Sequence, residues 1–238
     1  MMLPIQDSIT SKKKPWVTYI LIALNILIHL FAYSSRVTSE RFYFGVLGMI
    51  PNQLFYSLWH GQYIYCITLL TSQFVHGSLS HLIGNMIYLA VFGDNIEEEM
   101  GHFPFLLFYL CSGIVGALAH ALSDMASFVP LIGASAAVAG LLGAYLILYP
   151  GSRIRSVVPM FFFIPLNIPA WVFLVSWILL QVINVITPQL YDSISYMGHI
   201  GGFVLGVFIG LWLKRRRRNR WELIEIGDDD SSPDEIVQ

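Results

Sequence analysis

Gly133-Ala134-Ser135-Ala136-Ala137-Val138-Ala139-Gly140-Leu141-Leu142-Gly143-Ala144 lies at the start of one apolar run of this chain. Small residues recur at four-residue spacing, with Ser135, Ala139 and Gly143 on one stripe and Ala136, Gly140 and Ala144 on the next. A helix with such a flat face lets a neighbouring backbone come close in lipid, where packing replaces the hydrophobic effect as the driving force. A matching stripe lies towards the C-terminus, where Gly198, Gly202, Gly206 and Gly210 recur at the same interval. His199 precedes Gly202 by three residues and so shares its face. Packing these faces on each other brings Ser135 and His199 to hydrogen-bonding range.

The composition surrounding these stripes is that of a polytopic membrane protein. Of 238 residues, 56% are hydrophobic and 12% charged, and the mean hydropathy is +0.66, well beyond the range of a soluble domain. Apolar runs at roughly 16 to 33, 79 to 96, 103 to 122, 132 to 149, 157 to 187 and 196 to 213 each approach or exceed the roughly 20 residues a helix needs to cross a bilayer. The expected fold is therefore all-α, a bundle of six transmembrane helices over residues 16–213, between an N-terminal segment 1–15 and a basic then acidic tail 214–238. In the fifth run Pro159, Pro165 and Pro169 break the first half, which predicts one helix from about Ile168 to Ile186. The first run follows Lys12, Lys13 and Lys14 and is too long for a signal h-region, so it is read as an anchor.

Charge sets the expected orientation. With six spans, Lys12 to Lys14, Arg153, Arg155, Lys214 to Arg218 and Arg220 all fall on one side, and only Arg36 and Arg41 on the other. That asymmetry puts both termini in the cytoplasm. The Lys214 to Arg220 cluster reads as a topology signal and an anionic-lipid contact and not as a nucleic-acid site. The tail from Asp228 to Glu235 lacks the apolar content to fold. Cys66 and Cys111 are too few for a disulfide framework, lack metal spacing, and are expected to be buried thiols.

In this topology spans two, four and six all begin at the outer face. Their starts place His76, His81 and Asn85, then Ser135, then His199 in one layer. Polar groups at such depth face a bundle interior or a watery cavity and are site candidates. A serine hydroxyl becomes a nucleophile once a base within about 3 Å accepts its proton, and His199 is the base at hand. No Asp or Glu lies at that depth in the spans, and Asp192 falls in the loop before span six, so a Ser-His dyad is favoured over a triad. Free N–H groups at the helix start by Ser135, with His81 and Asn85 four apart on one face, are candidate oxyanion donors. No metal or cofactor is implied.

These residues resemble the rhomboid family of intramembrane serine proteases. The likeness spans roughly residues 16 to 213 and rests on His76-Gly-Ser-Leu-Ser-His81-Leu-Ile-Gly-Asn85, Gly133-Ala134-Ser135 and His199-Ile-Gly-Gly202-Phe-Val-Leu-Gly206. It implies Ser135 as nucleophile, His199 as general base, His81 and Asn85 as oxyanion donors, and His76 and Gly133 in support. Glu97, four residues before Gly101, resembles the family's structural glutamate at that corner; equally, it reads as a solvated member of the Glu97-Glu98-Glu99 run. Two positions depart from the pattern. Ala136 stands where glycine usually follows the nucleophile, and Ala139 where many relatives carry a ring that packs on the histidine, so something else must hold the imidazole. The loop after the first span lacks the frequent Trp-Arg signature, although its run from Phe55 to His60 suits an interfacial segment.

The substrates implied are single-span or other membrane proteins, reached from the lipid bilayer and cut near the outer face where a helix unwinds. Trp171, Phe173 and Trp177 suit a lateral gate as the resemblance implies, or equally ordinary lipid-facing rings. Asn25, His29 and Asn184 read as interhelical hydrogen-bonding groups. A compact six-span core with short tails suggests a prokaryotic cell (inner) membrane. Two other classes fit less of the sequence. A non-catalytic relative that binds membrane proteins needs none of the Ser135, His199, His81 and Asn85 set, and a histidine-rich metal site or transporter built from His29, His60, His76, His81, His120 and His199 leaves Ser135 unexplained.

Overall fold

A computed structural model describes residues 3–34, 40–157, 165–187 and 194–229, with side chains described except at 40–42 and 219–229. The elements run β1 (Leu3–Asp7), α1 (Trp16–Ser34), α2 (Glu40–Leu47), α3 (Pro51–Trp59), α4 (Thr68–Thr71), α5 (Leu79–Met100), α6 (His102–Ser123), α7 (Ser135–Leu148), β2 (Arg153–Val157), β3 (Pro165–Pro169), α8 (Ala170–Ile186) and α9 (Tyr196–Asp229). Single 3-10 turns flank α4 at Tyr63–Ile67 and Ser72–Phe74. Arg36, Pro159, Asp192 and the tail beyond Asp229 lie outside the described residues, as do the side chains of Arg41 and Arg220.

Each of the six apolar runs carries a helix, but they are unequal. Among the described residues, three are long and apolar enough to cross a membrane: Trp16–Ser34, His102–Ser123 and Tyr196–Arg218. A fourth arises if Tyr63–Phe74 and Leu79–Met100 form one span, bent by 81° between them. By length and composition alone, three or four spans are thus shown among the described residues. α7 is 14 residues long, about 21 Å, against a hydrocarbon core of about 30 Å. It is buried from Ala136 to Tyr145 and packed on all sides, as the apolar residues around its whole circumference require.

The small-residue faces meet. A side chain on Gly202 would overlap the carbonyl of Ala136, and one on Gly206 would overlap that of Gly140, so α7 and α9 touch backbone to backbone. The stripe of α7 that meets the α9 glycines is Ala136, Gly140 and Ala144, while Gly143 lies against the backbone of Phe203 and Val207. The main core is built around this pair from Leu89, Phe92 and Ile96 of α5, Phe105 and Tyr109 of α6, Leu141, Leu142 and Tyr145 of α7, and Phe173 and Leu174 of α8.

The chain is not all-α. β1, β2 and β3 form an antiparallel sheet in that order, with Leu3 opposite Val157 and Ile154 opposite Ile168. Arg153-Ile-Arg-Ser-Val alternates exposed and buried positions, the period of a half-buried strand, and its first partner lies at the other end of the chain. Five alternating residues beside long apolar runs give too weak a local signal to show this. The sheet sits where α7 ends and α8 begins, at the opposite end of α7 from Ser135. It is pinned there by Asp7, which accepts from the Tyr145 hydroxyl and, at 2.8 Å, from Asn95 Nδ2. Burial pushes the Asp7 carboxyl above the usual carboxylate range.

Three smaller details complete the fold. α9 runs past residue 213 to Asp229, because lysine and arginine are good helix formers and nothing at Lys214 stops the helix. Cys111 is exposed on α6 and Cys66 half-buried, so they are not a pair of buried thiols. Buried Asn25 donates at 2.8 Å to Leu21 O of its own helix and also meets the Tyr109 hydroxyl of α6.

Candidate active site

α5 starts where Ser78, its N-cap, accepts from the His81 backbone N–H at 3.1 Å. That cap fixes His81 in the first turn and Asn85 one turn on, on the same face. Asn85 is buried and stands 3.0 Å from His76 Nε2, with Nδ2 donating. The same His76 nitrogen is 3.5 Å from the backbone N–H of Ala134, so His76 joins the start of α5 to the residue before Ser135.

Gly133 turns the chain into α7 with φ of +115°, a conformation that favours glycine. A Cβ there would lie 2.7 Å from His81 Nε2, so a side chain at this position would push the His81 ring aside. Its N–H donates to Ser72 O at 2.9 Å, and Leu131 exchanges two backbone hydrogen bonds with Met49. The turn before Ser135 is thereby held from both sides. α7 begins at Ser135 without a side-chain cap, so its first N–H groups, Ser135's included, have no intrahelical partner.

α9 brings the last group. His199 Nε2 is 2.8 Å from Ser135 Oγ, and Nδ1 is 2.8 Å from Gln181 Oε1 on α8. Trp177, one turn before Gln181, lies 5.6 Å from the imidazole centroid at 37°, and Tyr196 approaches edge-on at 6.5 Å. Gln181 and Trp177 thus touch the imidazole, to which Ala139 offers no ring. The second departure is also accommodated: the Ala136 methyl is 2.5 Å from where a Cβ on Gly116 would stand, so the missing side chain of α6 makes room for it.

Ser135, His199, His76, His81, Asn85 and Gly133 therefore converge at one end of the bundle. Gln181 had no motif to single it out; its only sequence signal is an amide within a lipid-facing run. The supposed gate residues divide. Phe173 is buried against Tyr88 and Phe92 of α5, Trp177 packs on His199 and Phe203, and Trp171 is exposed. The remaining histidines are dispersed. His60 bonds Tyr56 O of its own helix, His102 pairs with Glu97, and among the described residues no three His, Cys, Asp or Glu side chains are grouped to hold a metal.

Glu97 settles in favour of a structural place. It is 1% exposed and accepts from the Val17 and Thr18 N–H groups at 2.9 and 2.8 Å, the Thr18 hydroxyl at 2.7 Å and His102 Nδ1 at 2.5 Å. It caps the start of α1 from α5.

Comparison with known sequences identifies the family. The family model for the Rhomboid domain matches residues 62–216. Rhomboid protein 1, mitochondrial, of Saccharomyces cerevisiae is 32% identical over 157 residues, 63% of this chain and 42% of that protein. RHOMBOID-like protein 6, mitochondrial, of Arabidopsis thaliana is 29% identical over 65% of this chain and 46% of its own length. RHOMBOID-like protein 4 of the same plant is 33% identical over 64% and 35%. The match thus spans less than half the length of these relatives. Two of their names place them in mitochondria, so they lend no support to a prokaryotic cell membrane.

Proposed function

As this chain belongs to the rhomboid family, we propose that it is an intramembrane serine endopeptidase that cleaves transmembrane segments of other membrane proteins. The observation that carries the reading is the 2.8 Å approach of Ser135 Oγ to His199 Nε2, made between helices far apart in sequence at an uncapped helix start.

The chemistry follows from the donors and acceptors present. Gln181 Oε1 can only accept, so Nδ1 of the neutral imidazole carries the proton and Nε2 offers a lone pair to the serine hydroxyl. Ser135 Oγ attacks the scissile carbonyl carbon while its proton passes to His199 Nε2. The carbonyl oxygen becomes an oxyanion, within the field of the α7 N-terminus and the Ser135 N–H. Asn85 Nδ2 spends one hydrogen on His76 and keeps a second for this oxygen, and His81 stands beside it across Gly133. Collapse breaks the C–N bond, His199 returns its proton to the leaving amine, and a water deacylates Ser135 by the reverse sequence.

A helical substrate hides its carbonyls in its own hydrogen bonds, so the cleaved segment must unwind, which favours small or helix-breaking residues there. The membrane frame that suits the site has six spans, with α7 short and enclosed, both termini and the sheet on the cytoplasmic side, and Ser135 near the opposite face. The Tyr56, Trp59 and Tyr63 rings, all strongly exposed, suit the headgroup layer at that face.

The test is cleavage of a reporter transmembrane segment by protein reconstituted in lipid. Ser135→Ala is expected to abolish cleavage and fluorophosphonate labelling, with chelator without effect on the wild type. Cleavage that survives in Ser135→Ala, or that chelator removes, overturns the proposal.

A further inference from the structure

We propose that Gln181 is the positioning residue of this site, whose side-chain carbonyl holds the His199 imidazole in the tautomer and orientation that leave Nε2 free to take the Ser135 proton. The inference rests on the Ser135–His199 reading above.

Gln181 is 8% exposed, whereas its neighbours Leu179, Leu180, Val182 and Ile183 are 39% to 53% exposed on the lipid side of α8. A buried amide in such a helix costs free energy unless both of its ends are paired. Both are: Nε2 donates to Trp177 O at 3.0 Å and Oε1 meets His199 Nδ1 at 2.8 Å. The first contact fixes the direction of the second. Turning the amide over would set Oε1 against the Trp177 carbonyl, acceptor against acceptor, and would face His199 with a donor. The imidazole would then carry its proton on Nε2 and have no lone pair for the serine.

α8 also supplies the wall. Trp177 and Gln181, one turn apart, bracket the ring with an aromatic face and a hydrogen bond, where Ala139 offers only a methyl group. A neutral acceptor suits this depth. It orients the imidazole without the desolvation penalty of a buried carboxylate, at the expense of weaker support for the imidazolium formed in the reaction. Among the described residues, His81 of α5 and His120 of α6 act on His199 electrostatically, and Tyr196 of its own helix meets it edge-on. None stands on Nδ1.

Cleavage and fluorophosphonate labelling are measured against pH for wild type, Ser135→Ala, Gln181→Leu and Gln181→Glu in lipid vesicles, with thermal melting of each. Gln181→Leu fills similar space without an acceptor, and its kcat and labelling rate are expected to fall at least about 100-fold, with KM little changed. Gln181→Glu restores an acceptor and adds charge, so labelling recovers and the acidic limb of the rate profile moves to higher pH. Labelling of Gln181→Leu at the wild-type rate overturns this inference alone. Equal impairment of both variants, with an unmoved pH profile, reduces Gln181 to packing and overturns it as well. Should Gln181→Leu fail to fold, the pH profile of Gln181→Glu decides. Wild-type protein that neither cleaves nor labels overturns the dyad, and Gln181's role with it.

Discussion

At the scale of single residues, the candidate site depends on hydrogen bonds that specify direction as well as distance. Asn85 has two amide hydrogens, and His76 uses one, which orients the second without consuming it. Asn85→Ala is accordingly expected to lower kcat about 10²- to 10³-fold with little change in KM, measured on the reporter segment. A change confined to KM would assign Asn85 to substrate binding. Ser135, His199, His81, Asn85 and Gly133 were legible because each is a polar or glycine residue at the start of an apolar run. Gln181 was not, since an amide in mid-run acquires meaning only from what α8 docks against. The surroundings of Trp177 were not legible for the same reason: its ring packs on His199 and Phe203, a contact between helices that composition does not encode.

At the scale of elements, the α7–α9 contact sets the height of Ser135 against His199. Gly206 has the Gly140 carbonyl where its side chain would be, and both are backbone atoms that cannot rotate away. Gly206→Val is therefore expected to destabilise the protein by about 1 to 3 kcal/mol or more, read as a lower melting temperature in detergent, with activity lost in parallel. The spacing of the glycines made this contact legible. The stripe of α7 that would receive them was ambiguous by one position, because neighbouring stripes of small residues, Ser135-Ala139-Gly143 and Ala136-Gly140-Ala144, fit equally well in sequence. The groove left by Gly116 on α6 is what lets Ala136 face inward. α3 shows the same division. Its aromatic content was plain, whereas the docking of Leu54 with Met49 onto Ala117 and Ala121 of α6 came from the fold.

At the scale of the whole molecule, ties far from Ser135 hold the bundle together, Glu97 and Asp7 among them. Glu97 gathers the start of α1 to the α5–α6 corner, and Asp7 joins β1 to α7 and α5. Glu97→Ala leaves two N–H groups of α1 without their acceptor. It is expected to cost about 3 kcal/mol or more, with Glu97→Gln intermediate because one amide oxygen still accepts; thermal melting of the two variants checks this. Melting of Glu97→Ala at the wild-type temperature would make the cap dispensable. By itself the sequence determined that the chain is helical, apolar and built for lipid, and that reactive groups gather at the starts of three helices, because hydrophobic run length and residue spacing are local properties. The tertiary structure alone decided that Glu97 is an interior cap, that both chain ends of the α7–α8 connection join a sheet with the N-terminus, and that Gln181 meets His199, because each depends on contacts between segments distant in sequence.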